Sequence, residues 1–131
     1  MNKKQKNVLG GDLELCSSNP LTGWYRDGCC NTDDNDNGLH TVCAKVNSNF
    51  LHWCKSAGND LITPHPEFGF PGLKDGDNWC VCATWFARAV EAGKECKIYL
   101  KKTNEKTLKI VPLEILKKHA IDLSLSLIHI S

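Results

Sequence analysis

The sequence predicts an α+β protein: a small single domain with an antiparallel sheet, about three helices and long ordered Gly/Pro-rich loops. Three observations carry that expectation. The chain of 131 residues is 41% hydrophobic and 24% charged, which is ordinary for one globular domain able to bury a core. Alternating runs such as "HTVCAKV" read as strands, and the stretch after Asp77 repeats its apolar residues at helical spacing.

Taken in order, residues up to about Gly38 are crowded with Gly, Pro, Asn and Asp, which favour turns. This part is expected to be loop with short strands at "NVLG" and "LELC". "HTVCAKV" follows as a strand, then a helix over "SNFLHWCKSAG" with Ser48 as N-cap and Gly58 as its stop. Residues 59–76 hold three prolines around Phe68 and Phe70 and predict a loop packed by those two rings. From Asp77 as N-cap to about Ala92, Trp79, Cys82, Ala83, Phe86, Ala89 and Val90 share one helical face. After Gly93, "KIYLKKT" and "KTLKIV" read as an antiparallel pair. Pro112 then opens a short helix as its first residue.

The domain is expected to span residues 7–123, after a flexible stretch at 1–6. The end of the chain, "LSLIHIS", resembles the translated read-through of a sequencing adaptor, so residues 124–131 are expected to be a tail without function.

Charge is uneven along the chain. Lys94–Lys118 carries eight lysines against three glutamates, while Asn7–Gly93 carries five basic against eleven acidic residues. The basic stretch has one aromatic, Tyr99, and no arginine, which fits a solvated lysine face and not a nucleic-acid surface. No apolar run reaches the roughly 20 residues of a membrane span. The basic start "MNKKQK" is followed only by Val8 and Leu9 before glycines, too short for the core of an export signal. A cytoplasmic location is therefore expected, and the eight cysteines are read first as thiols, metal ligands or redox groups.

Two cysteine motifs stand out. "GDNWCVC" sets Cys80 and Cys82 at the expected start of the main helix, where peptide dipoles stabilise a thiolate. "RDGCCNT" sets vicinal Cys29 and Cys30 after Arg26 and Asp27, with His40 and Cys43 following in "GLHTVC". Arg26 and His40 would favour a nearby thiolate. A soft metal such as zinc would take its ligands from Cys16, Cys29, Cys30, His40, Cys43, Cys80 and Cys82. Any one of these cysteines also fits simple packing, since free cysteine behaves as a small hydrophobe. "DDNDNG" begins like a calcium loop, but Ala44 stands where a bidentate glutamate belongs, so it reads as a solvated Asx turn.

The segments "NVLGGDLELCSSNPLTGWYRDGCCNT", "GLHTVCA", "GNDLITPHPEFGFPGLKDGDNWCVCA" and "VPLEILKKHA" together resemble the bacterial family called domain of unknown function 2237, from about Asn7 to Leu123. The resemblance implies no reaction, substrate or cofactor. It does place Cys16, Cys29, Cys30, Cys43, Cys80 and Cys82 inside family motifs, with Arg26, Asp27, His40, Asn59, Asp60, Glu67 and Asp77. Cys54 and Cys96 fall outside them, and Asn104 stands where the family has a histidine. Trp85 and Phe86 replace a more typical Arg and Trp.

Three functions compete. In the first, Cys16, Cys29, Cys30 and Cys43 converge on Cys80 and Cys82 to bind zinc. In the second, Cys80 is a catalytic or redox thiol with a resolving partner among Cys29, Cys30 and Cys82, assisted by Arg26 or His40. In the third, Trp24, Tyr25, Phe68, Phe70 and Trp79 line an apolar pocket for a small molecule or protein, with Arg26 anchoring an anion; Arg26, His40 and Asp27 are the candidate binding residues.

Overall fold

A strand rich in β-branched and small residues, β1 (His40–Lys45), forms the centre of the sheet. In the computed structural model, which describes residues 5–123, β1 pairs antiparallel with β2 (Asn78–Cys82) on one side and β3 (Lys97–Ile98) on the other. The strand order is β2-β1-β3. Three helices accompany it: α1 (Ser48–Ser56), α2 (Ala83–Ala92) and α3 (Leu113–Lys118). The expected α+β class and small antiparallel sheet with three helices are thus present. The tail expected at 124–131 lies outside the described residues. Gln5 exchanges side-chain hydrogen bonds with the backbone of Thr32, and Lys6 bridges to Asp12.

Alternation along β1 and β2 divides the molecule into two layers. Val42, Ala44, Trp79 and Val81 face the main core, where they meet Ile98, Phe50, Leu51 and Cys54, Phe86 and Ala89, and Leu116. Cys43 and Cys80 face the other way, directly opposite each other in register. That second face is covered by the loop-rich first third of the chain, which brings Cys16 and Cys30 onto it.

Several local expectations need correction. The helix expected from Asp77 begins only at Ala83. Residues 78–82 pair with β1, because alternating Trp79 and Val81 fill the core and the amides complete a ladder. Asp77 instead closes a turn by accepting from the Lys74 N–H at 2.9 Å. Ser48 is the first helical residue and not the cap: the Asn47 side chain accepts from the Phe50 N–H at 2.8 Å. Pro112 likewise sits one position earlier than expected, as the capping residue of α3.

The hairpin expected at 97–111 is replaced by the short β3 and two 3₁₀ turns, Leu100–Lys102 and Glu105–Lys109. The Asp122 carboxylate captures the Leu100 and Lys101 N–H groups at 2.7 and 3.0 Å, and Asn104 caps the second turn through the Lys106 N–H. "NVLG" is a turn around Asn7, whose Oδ1 accepts from the Leu9 and Gly11 amides, and "LELC" forms no strand. Of the two phenylalanines expected to pack the loop, Phe70 does, against Trp79 with ring centroids 5.3 Å apart, while Phe68 is 79% exposed.

Candidate sulfur cluster

Four of the six motif cysteines meet on the loop-covered face of the sheet. Cys43 and Cys80 are cross-strand neighbours, yet each bonds to a loop cysteine: Cys43 to Cys16 and Cys80 to Cys30, with S–S distances of 2.07 and 2.03 Å. The two bridges lie against each other, and the sulfurs of Cys16, Cys30 and Cys80 are all within 4.8 Å of one another. None of the four cysteines is more than 3% exposed, and Tyr99 packs against them. The expectation of thiols is therefore corrected for these four, which are paired as disulfides.

Buried side chains fix the backbone at each cysteine. The Cys80 N–H donates to Thr22 Oγ1 at 2.9 Å and the Cys43 N–H to Thr103 Oγ1 at 3.1 Å. Asn104 Nδ2 donates to the Cys30 carbonyl at 3.1 Å, and Asn78 Nδ2 to the Cys16 carbonyl at 3.2 Å. Thr22, Thr103 and Asn104 are themselves fully buried. Each satisfies a backbone group that would otherwise be stranded among sulfur and carbon, at a cost of about 1–3 kcal/mol. Gly23 permits this close approach, since a Cβ there would come within 2.4 Å of the Cys29 carbonyl oxygen and its φ is 103°.

Cys29 and Cys82 lie outside the cluster. Cys29 lies in the bend that precedes Cys30 and is half-buried, whereas Cys30 is fully buried. Cys82 is the residue preceding α2, and its Sγ lies 2.9 Å from both the Gly38 carbonyl oxygen and Thr84 Oγ1. A Cβ at Gly38 would sit 2.6 Å from that sulfur. Cys80 lies within β2, three residues before α2 begins, and not in the first turn of the helix, which removes the dipole argument for its thiolate. The non-motif thiols are core groups: burial raises the Cys54 pKa, and burial pushes that of Cys96 up to about 12.

Beside the cluster opens a cleft of about 340 Å³ lined by Trp24, Arg26, His40, Trp79 and Cys80 among others. Arg26 adopts φ 56° and stacks its guanidinium over the Trp79 ring, 5.1 Å from the centroid. Trp24 stacks on His40 at 5.7 Å and donates its ring N–H to Asp33. The Tyr25 hydroxyl also donates to Asp33, and that bond holds the Asp33 carboxyl below its usual range while raising the Tyr25 pKa.

His40 Nδ1 lies 2.7 Å from Asp36 Oδ1. The Asp36 carboxylate is fully buried and also accepts from the His40 N–H and Thr32 Oγ1. Asp27 accepts from the Cys29 amide and Asn31 Nδ2.

Of the expected site residues, the fold brings Cys16, Cys30, Cys43 and Cys80 together, and sets Arg26 and His40 beside Cys80 across one cleft. Asp36, Thr22 and Asn104 were not anticipated. Asp36 lay hidden in an acidic run that reads as solvated, although its spacing of four from His40 was a usable signal.

The family model for DUF2237, described as an uncharacterized protein conserved in bacteria, matches residues 6–120. No functionally curated protein matches the chain. Among the described residues no helix is long and apolar enough to cross a membrane.

Proposed function

The chain belongs to the DUF2237 family, and we propose that its clustered cysteines form a redox-gated site for a soft metal ion, zinc in the first place. In the oxidised state Cys16–Cys43 and Cys30–Cys80 are disulfides. Reduction by a dithiol delivers two electrons and two protons to each bridge and frees four thiols. Cys16, Cys30 and Cys80 then bind the ion as thiolates, releasing their protons to solvent, with Cys43 as the fourth ligand.

The observation that carries this reading is the convergence of three sulfurs, from two different bridges, within 4.8 Å of one another. Tetrahedral zinc at a Zn–S distance of about 2.3 Å places its sulfurs about 3.8 Å apart. For Cys16, Cys30 and Cys80, reaching that spacing takes a contraction of about 1 Å between bridges and a separation of under 2 Å within Cys30–Cys80. Burial of all four cysteines favours a closed, structural site over one that keeps a water for Lewis-acid chemistry. Transient disulfides of this kind suit a cytoplasmic protein that senses redox state.

The test is elemental analysis of the protein after anaerobic reduction with a phosphine, incubation with zinc and desalting. One zinc per chain in the reduced protein and none in the oxidised protein is expected. A reduced protein that retains no zinc, or an oxidised protein that retains as much, overturns the reading.

A second reading, thiol redox catalysis at Cys80 with Cys30 as resolving partner, draws on one specific observation: Cys80 lines the cleft that holds Arg26 and His40. Cys82 contributes least to it, because its sulfur is engaged by Gly38 and Thr84.

A further inference from the structure

We infer that the cleft between Arg26 and His40 is the entry for a small anionic thiol, which reduces the Cys30–Cys80 disulfide by attack at Cys80. The inference rests on the reading that this disulfide opens and closes in function.

Three features of the cleft carry it. First, the two sides of the bridge differ: Cys80, although only 2% exposed, is among the residues that line the cleft, whereas its partner Cys30 is fully buried and is not. Thiol–disulfide exchange requires the attacking sulfur to reach one sulfur of the bridge while the other leaves. Entry from this side therefore makes Cys80 the attacked sulfur and Cys30 the leaving group.

Second, Arg26 supplies an uncommitted positive charge. Among the described residues its guanidinium has no hydrogen bond or ion pair and rests only on the Trp79 ring, 5.1 Å away. The acidic residues around it are engaged elsewhere: Asp27 with Cys29 and Asn31, Asp33 with Trp24 and Tyr25, and Asp36 with His40 and Thr32. A planar guanidinium held against an aromatic face presents its outer N–H groups to a carboxylate.

Third, the size is right for a small molecule. At about 340 Å³ the cleft lies at the lower end of ligand sites, and its lining includes the stacked Trp24 and His40 rings, the latter braced by buried Asp36. A compound joining a thiol to a carboxylate through a short chain fits that arrangement, with the carboxylate on Arg26 and the sulfur towards Cys80.

The step balances as follows. The thiolate RS⁻ forms a bond to Cys80 Sγ, the Cys30–Cys80 bond breaks, and the electron pair leaves on Cys30 as a thiolate. A second RS⁻ attacks the small-molecule sulfur of the mixed disulfide, giving RSSR and the Cys80 thiolate. Two small thiolates are oxidised by two electrons in all, and one cystine is reduced to two thiolates.

The experiment compares the reduction rate of the native oxidised protein by thioglycolate, an anionic thiol, with that by neutral 2-mercaptoethanol. Cleavage of Cys30–Cys80 is followed by acid quench and mass spectrometry in the wild type, Arg26→Gln and Arg26→Lys. The Arg26→Gln protein is expected to react about tenfold more slowly with thioglycolate, the size of a local steering effect, and within about twofold of wild type with 2-mercaptoethanol. Arg26→Lys, which keeps the charge, restores most of the rate, and the trapped mixed disulfide maps to Cys80. Equal slowing with both thiols, no slowing with either, or a mixed disulfide on Cys30 overturns the inference. Zinc uptake after phosphine reduction is independent of this entry route, so the two readings fail separately.

Discussion

Reducing both disulfides removes two restraints from the denatured chain, and the loop that each one closes sets the expected loss of stability. Cys30–Cys80 joins residues 50 apart in sequence and Cys16–Cys43 residues 27 apart. The chain-entropy relation gives about 4 kcal/mol for the longer loop and about 3.5 kcal/mol for the shorter at 25 °C. The loops interlock, since Cys30 lies within the first and Cys43 within the second, so a combined loss of about 5–7 kcal/mol is expected. That approaches the whole stability of an ordinary domain, about 5–15 kcal/mol. The reduced, metal-free protein should therefore be marginal, and a metal that binds only the folded form should restore it. Free zinc at a hundred times its dissociation constant returns about 2.7 kcal/mol, and more at higher excess. Urea unfolding followed by tryptophan fluorescence checks all three states, oxidised, reduced and reduced with zinc. A reduced protein within about 1 kcal/mol of the oxidised one would refute the loop argument. A reduced protein that zinc leaves unchanged would refute the role of the metal.

Further predictions concern the groups around the cluster and elsewhere. Thr22→Val strands the Cys80 N–H and is expected to lower stability by about 1–3 kcal/mol in the same unfolding assay. Asn104→Ala, which also removes the cap on the Lys106 N–H, should cost about 2 kcal/mol or more. The Asp60 carboxyl is held at about 2 by the Thr63 hydroxyl and the Thr63 and Ile62 amides. Its folded pKa lies below the unfolded one, so its contribution is present above about pH 4 and is lost as pH falls through about 2. NMR titration of the carboxyl reads the value directly, and Thr63→Ala should move it upward. For Cys96, burial raises the folded pKa from 9.0 to about 12. Stability is then full below pH 9 and declines as pH rises through that window, and the Cys54 and Cys96 thiols should stay unreactive at pH 8 until the protein unfolds.

What the sequence made legible follows from where local signals agree with the fold. β1 and α1 were readable because alternation in "HTVCAKV" and the stop near Gly58 match the final packing. β2 was not, because Trp79, Cys82, Ala83 and Phe86 satisfy a helical period as well as Trp79 and Val81 satisfy a strand, and pairing with β1 decided it. The stretch after Ile98 alternates like a strand, but Asp122 and Asn104, distant or polar, take its amides first. The gathering of Cys16, Cys30, Cys43 and Cys80 was legible from residue type and motif membership. Their pairing was not, because Cys43 and Cys80 are opposed in register while their bonds run outward to loops. Asp36 was missed because it sits in an acidic run with Asp33 and Asp34, where only its spacing of four from His40 sets it apart; its burial is a tertiary fact.

X-ray absorption at the zinc edge of the reduced, zinc-loaded protein tests the account most directly. Three or four sulfur neighbours at about 2.3 Å, reduced in number by Cys30→Ser or Cys16→Ser and unchanged by Cys82→Ser, are predicted. A shell of only nitrogen and oxygen, or a sulfur shell insensitive to Cys16 and Cys30, would contradict it.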